Sequence, residues 1–253
     1  MSMTMKGIEV STALVVAAHP DDAEFGAGGT IARMAAEGVE VTICIVSNGA
    51  MGSNDPDVAR DLLIATRERE QRAAAAAAGA RDVVFLGYED GYLEDGHEIR
   101  RDIIREIRRL RPDIAIGPDP STFFIDQRYL NHPDHRAVGL AFSAAINPGS
   151  TTVPLYRAEL YDRGFGPHPL KAVLLMVATN PNYHVDISAH MGTKISALQA
   201  HVSQLGAYEG LADRVREMAK LTAEQGGTGT EYAEAFKGFF FEQRPSAQGD
   251  VKP

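Results

Sequence analysis

Apolar positions along the chain follow two alternating rhythms. Ser11–Ala18 (STALVVAA) and Val39–Val46 (VEVTICIV) are short continuous β-branched runs, the pattern of strands buried on both faces. Between them Ile31, Met34 and Ala35 recur at helical spacing over Thr30–Glu37, which predicts a strand–helix–strand unit. The rhythm repeats, with helices expected over Ala59–Ala78 and Glu98–Leu110 and strands over Asp82–Leu86 and Asp113–Gly117. Alternation of this kind predicts an α/β fold with a mostly parallel sheet covered on both faces, whose functional crevice lies outside the carboxyl ends of the strands. After Asn147 the rhythm breaks at NPGSTTVP. Strand-like Ala158–Tyr161 and Val173–Val177 are expected to extend the same sheet, and a helix is expected over Ala189–Leu205. Phe239–Phe241 reads as an edge strand or a subunit contact. No composition shift marks an internal boundary, so residues 1–244 are expected to form one domain and 245–253 (PSAQGDVKP) a disordered tail.

Composition narrows the possibilities. The 253 residues are 44% hydrophobic, enough for a large core without staples, and the single cysteine, Cys44, excludes a disulfide framework or a cysteine-rich zinc module. The opening MSMTMKGIEV lacks the apolar stretch of a signal peptide, and no window approaches the roughly 20 apolar residues of a membrane span, so a cytoplasmic protein without membrane contact is expected. Thirty-four acidic against 25 basic side chains give a net charge of -9, which disfavours nucleic acid as a partner. The basic run Arg100–Arg111 alternates with Ile103, Ile104, Ile107 and Leu110 at helical spacing and reads as an amphipathic sheet-covering helix rather than an anion site.

The first strand ends in His19-Pro20-Asp21-Asp22, followed by Glu24 and the glycine-rich turn Gly26-Ala27-Gly28-Gly29. A dinucleotide fingerprint starting at Gly26 would need glycine at position 31, where Ile31 stands, and the acidic cluster would repel a pyrophosphate. A second cluster, His132-Pro133-Asp134-His135, repeats the grammar ahead of the helix-like Arg136–Ile146. Alone, the first cluster could be a strand-to-turn junction with Asp21 or Asp22 capping a helix. Together, two histidines and a carboxylate suit a divalent metal with a position left for water, and the expected ligands are His19, Asp22 and His135. Asp21 then remains to take a proton from water and His132 to donate to an oxyanion, a division of labour that suggests metal-assisted hydrolysis. Asp134 is expected to support the ligands from behind.

The segments VVAAHPDDAEFGAGGTIARMAAEG, TREREQRAAAAAAGARDVVFLGYEDGYL and NHPDHRAVG, with Asp186–Ser188 and KISALQAHVSQ further on, resemble the PIG-L/LmbE family of zinc-dependent N-acetyl deacetylases. The resemblance implies a Rossmann-like three-layer αβα fold with extra C-terminal strands. It also implies Zn2+ on His19, Asp22 and His135, Asp21 as general base, and His132 stabilising the tetrahedral intermediate. SNGAMGSND, Arg67 and the YEDGYL run are most similar to the bacterial and archaeal branch that includes diacetylchitobiose deacetylase. There, the positions matching Arg67 and Asp90 contact the sugar and that matching His201 lies beside the site. For Arg67, within the charged TREREQR, a solvated salt-bridged face is the alternative, and Asp90 reads equally as a turn residue. Ala23 followed by Glu24 departs from the family's commoner HPDDE. The expected partner is a small N-acetylated amino sugar or conjugate, with a homo-oligomer as the assembly. A deacylase of thiol conjugates or glycosylated metabolites, or a non-haem iron enzyme on the same His/Asp/His site, stands as the alternative.

Overall fold

The structure is a computed structural model that describes residues 3–125 and 129–241. The expected tail at 245–253 lies outside the described residues. A small hairpin, β1 (Met3–Met5) with β2 (Ile8–Val10), precedes β3 (Thr12–Ala17), α1 (Asp22–Ala36), β4 (Glu40–Ser47), α2 (Arg60–Ala78), β5 (Asp82–Tyr88), α3 (His97–Leu110) and β6 (Ile114–Pro118). A second hairpin, β7 (Phe124–Ile125) with β8 (Tyr129–Leu130), leads into α4 (Pro133–Ala144). Then follow β9 (Ala172–Met176), β10 (Tyr183–Asp186), α5 (Met191–Gln199), α6 (Val202–Leu205), α7 (Leu211–Gln225) and β11 (Ala233–Phe240).

Seven strands form one sheet in the order β10-β11-β9-β6-β3-β4-β5. All run parallel except β11, which pairs antiparallel with both β9 and β10. Side-chain alternation splits β3 between two cores: Ala13, Val15 and Ala17 face residues of α1, α2, α5 and α7, while Leu14 and Val16 face α3 and α4. The result is the expected three-layer αβα arrangement. From β3 the chain crosses to β4 on one side, whereas from β6 it crosses to β9 on the other. The carboxyl ends of β3 and β6 therefore flank a topological switch point; the first His-Pro-Asp cluster leaves directly from the end of β3, and the second follows the hairpin beyond β6 and opens α4.

Several boundaries differ from expectation. The first helix starts at Asp22 rather than Thr30, because its glycines, weak helix formers in isolation, permit close packing. A Cβ on Gly29 would sit 2.7 Å from Ile187. The helix expected over Ala189–Leu205 breaks at Ala200–His201 into α5 and α6. Ala158–Tyr161 is a succession of turns in which Leu160 alone of the four is buried, so its strand-like composition finds no partner. Phe239 and Phe240 belong to β11, an interior strand rather than the expected edge.

One buried ion pair stitches the late strand to the first helix. Glu234 of β11 accepts from the Gly29 and Thr30 backbone N–H groups (2.9 and 2.8 Å) and from the Thr30 hydroxyl (2.6 Å). It also pairs with Lys194 of α5, whose Nζ donates to the Phe25 carbonyl at 2.7 Å. Removing one partner of such a pair strands the other and two backbone donors. Glu234→Ala is therefore expected to cost about 3–5 kcal/mol, read as a lowered urea midpoint with unchanged m.

Candidate metal centre

The turn after β3 is built around Asp21, which carries a left-handed backbone (φ 101°, ψ -27°) without being glycine. Such a conformation costs on the order of 1–3 kcal/mol and persists only where its surroundings enforce it. Here the Asp21 carbonyl accepts from the Glu24 and Phe25 backbone N–H groups, both at 3.1 Å, starting α1. Asp22 folds back so that its carboxylate accepts from the His19 backbone N–H at 2.8 Å. These contacts aim the His19 and Asp22 side chains at one point.

His135 reaches the same point from the first turn of α4. His19 Nδ1 lies 3.3 Å from Asp22 and 3.3 Å from His135 Nε2, and Asp22 lies 3.1 Å from that same Nε2. The outward nitrogens have acceptors of their own. His135 Nδ1 is 3.0 Å from the Asn131 side-chain oxygen, and His19 Nε2 is 3.0 Å from Asp90 and 3.2 Å from Asp134. A neutral imidazole has one N–H, and these acceptors draw it outward, leaving two inward lone pairs beside a carboxylate. Uncompensated lone pairs at this separation repel, so the donor set fits a divalent cation. The surrounding field favours positive charge at this point: burial lowers the His19 pKa, but Asp134, Asp22 and Asp90 outweigh it and push the group up to about 12, so a proton, or a cation displacing it, is held at the inward nitrogen. Burial likewise opposes ionisation of Asp22, yet His135 and His19 hold its carboxyl well below the usual range.

A second group, His19, His132 and Asp134, is also compact enough for an ion. Its members are otherwise occupied. Asp134 accepts from the Gly91 and Leu93 backbone N–H groups (2.8 and 3.3 Å), and His132 Nδ1 accepts from the Asp134 N–H at 3.2 Å, capping α4. The His132 proton therefore resides on Nε2, and the ring, 45% exposed at its side chain, stands 4.8 Å from that of His19. Burial and the neighbouring His19 lower its pKa, which keeps it a neutral donor.

Asp21 is next to the three converging groups. Burial first, then the charge of Asp22, raises its carboxyl to about 7 against the opposing pull of Arg67. Arg67, in the charged TREREQR run, is buried at 4% exposure and faces the site instead of solvent. It donates to the Pro20 carbonyl (2.7 Å), the Gly49 carbonyl (3.0 Å) and the Asp21 carboxylate (3.3 Å). Asp90, besides touching His19, accepts from the Met51 backbone N–H at 2.9 Å. His201 is fully enclosed, and among the described residues its side-chain hydrogen bond toward the site is to Glu24, 3.3 Å from its Nε2. Sequence reasoning missed Gln71, Glu24 and Asn131 as parts of this arrangement. Two of them carry a readable signal, since Gln71 follows Arg67 and Asn131 precedes His135 by four residues on or beside a helix.

Residues 14–146, which include every converging side chain except His201, match the family PIG-L: GlcNAc-PI de-N-acetylase. The chain is 33% identical over 196 residues to diacetylchitobiose deacetylase of Thermococcus kodakarensis, covering 78% of this chain and 71% of that protein. It is 29% identical to 1D-myo-inositol 2-acetamido-2-deoxy-alpha-D-glucopyranoside deacetylase of Actinosynnema mirum, covering 78% and 81%. Among solved structures it is similar to N,N'-diacetylchitobiose deacetylase from Pyrococcus horikoshii in complex with an inhibitor. The TM-score is 0.83 at 30% identity, over 91% of this chain and 84% of that one.

Proposed function

The chain belongs to the PIG-L family of de-N-acetylases, and from that premise we propose that it is a zinc-dependent hydrolase removing the N-acetyl group of a GlcNAc-type amino sugar. The observation that carries this reading is the convergence of His19 Nδ1, Asp22 and His135 Nε2 on one point, with an unspent carboxyl, Asp21, alongside. His19, Asp22 and His135 would hold the ion, which when bound supplies a Lewis acid and acidifies water at neutral pH. Asp21 takes the proton of the attacking water as its oxygen bonds to the amide carbon, and a pKa near 7 suits that exchange. The His132 Nε2–H donates to the oxygen that becomes negative. Asp21 then returns its proton to the amide nitrogen as the C–N bond breaks, giving acetate and the free amine. Asp134 and Asp90 keep His19 in the required tautomer, and Arg67 fixes the Asp21 carboxylate.

For the substrate, Asp90 and Arg67 stand beside the metal point, Asp90 as an acceptor for a hydroxyl flanking the acetamido group and Arg67, whose guanidinium already donates to Pro20, Gly49 and Asp21, by holding the base, while His201 acts from behind through Glu24. The net charge of -9 and the carboxylates at the mouth disfavour polyanions, favouring neutral chito-oligosaccharides or glycosides. Residues 1–244 act as one catalytic unit, in the cytoplasm, and the half-exposed Phe239 and Phe241 provide apolar surface for a homo-oligomer. Among the described residues no helix is long and apolar enough to cross a membrane. Acetate release measured from GlcNAc, diacetylchitobiose, a nucleotide-linked GlcNAc and an N-acetylated peptide tests the substrate class. The first two are expected to react, and preference for either of the others would overturn the assignment.

A further inference from the structure

Glu24, Gln71 and His201 form a fully buried polar string that ends on the backbone of Asp21. The Gln71 side-chain oxygen accepts the Asp21 backbone N–H at 3.0 Å, and its Nε2 donates to Glu24 at 2.7 Å. The other Glu24 oxygen faces His201 Nε2 at 3.3 Å. Each of the three is 0% exposed, so none can touch substrate directly. Buried polar groups that are bonded to one another rigidify what they touch, and this string ends on the one residue of the site with a left-handed, non-glycine backbone.

We propose that Gln71, Glu24 and His201 are positioning residues that hold Asp21 in its strained turn and so set the direction of its carboxylate. The three come from α2, α1 and the break between α5 and α6, so the string ties the base to two helices and to the C-terminal part of the chain. Arg67 orients the carboxylate end of Asp21, and Gln71, one helical turn further on the same helix, holds the backbone end. The departure from HPDDE has a reason in this arrangement. Glu24, two positions after Asp22 instead of one, lies on the buried side of α1 where Gln71 can reach it. The helix break at Ala200–His201 likewise places the imidazole at the other end of Glu24.

The inference rests on Asp21 being the group that takes the proton. The test replaces Gln71 by Met, similar in length but with no acceptor. Displacement of a reacting group by an ångström costs up to about 100-fold. Gln71→Met is accordingly expected to lower kcat by about 10- to 100-fold with KM and zinc stoichiometry unchanged. In an Asp21→Asn background the same change should have no further effect, since the group it positions is already inert. Hydrogen exchange of the Asp21 amide should accelerate in Gln71→Met while the amides of β3 stay protected. Glu24→Gln, which still accepts from Gln71, should retain most of kcat, and Glu24→Met should behave like Gln71→Met. An unchanged kcat in Gln71→Met, a loss that persists in the double variant, or an unchanged Asp21 amide each overturns the proposal. If the wild-type protein releases acetate from none of the four substrates, the functional reading fails, and the amide exchange alone decides whether the tether exists.

Discussion

Asp21→Asn is expected to retain a full complement of zinc and to lose about 10²–10⁴-fold in kcat, the range that proton transfer by a positioned group contributes. Asparagine keeps the shape of aspartate, tolerates a left-handed backbone well, and still offers an oxygen to Arg67, so the turn and the neighbouring ligands survive. What it cannot do is accept a proton from water at neutral pH. The adjacent carboxylate behaves oppositely: Asp22→Ala should lose the metal, because Asp22 is the side chain that stands 3.3 Å from His19 Nδ1 and 3.1 Å from His135 Nε2. Elemental analysis of both variants beside their turnover separates the two roles. An Asp21→Asn protein that hydrolyses at near wild-type rate would reduce Asp21 to a structural residue and remove the mechanism.

The second large effect is on the metal itself. Replacing His19 or His135 by Ala should abolish both stoichiometric zinc and activity, since each would delete one of the three proposed protein ligands. Asn131→Asp, which keeps an acceptor behind His135 Nδ1, should retain zinc binding, whereas Asn131→Ala, which removes that acceptor together with the donor to the Thr122 carbonyl, should weaken it about 10- to 100-fold and leave activity recoverable at saturating metal. The gradient between ligand and supporting residue is the informative result. Full zinc in both His→Ala variants would exclude this ligand set, and an iron content with oxygen-dependent turnover in the wild type would favour a different chemistry on the same residues.

Which parts of this molecule its sequence discloses follows from how local each signal is. The strands are legible because β3 and β4 are buried on both faces, so nearly every residue must be apolar. The two His-Pro-Asp clusters are legible because each is contiguous and leaves a strand end or opens a helix. The orientation of α2 is not: TREREQR carries charge all around, and only tertiary packing decides that Arg67 and Gln71 turn inward while Arg69 stays at the surface. The start of α1 was hidden by Gly26, Gly28 and Gly29, whose low helix propensity is overridden by contact with Ile187 and by the Glu234 hydrogen bonds. α7 was legible and overlooked, with Leu211, Val215, Ala219 and Ala223 recurring every four residues on its buried face. His201 could be matched by resemblance, but its enclosure depends on a helix break that no periodicity announces.

The position of β11 between β9 and β10 bears on how the protein is made. A nascent chain emerging from the ribosome can complete β3, β4, β5, β6 and β9 as one parallel sheet in the order of synthesis, since each pairs with a strand already present. β10 has no earlier strand to join, because among the described residues it pairs with β11. Until residues 233–240 emerge, β9 is therefore an open sheet edge, and the Gly29 and Thr30 amides lack the Glu234 carboxylate. The contacts that tie the first helix, which carries the proposed ligand Asp22 at its start, to the sheet are thus completed by a strand made more than two hundred residues later. The order of synthesis therefore leaves the proposed metal site without part of its backing until the last strand of the sheet has been made.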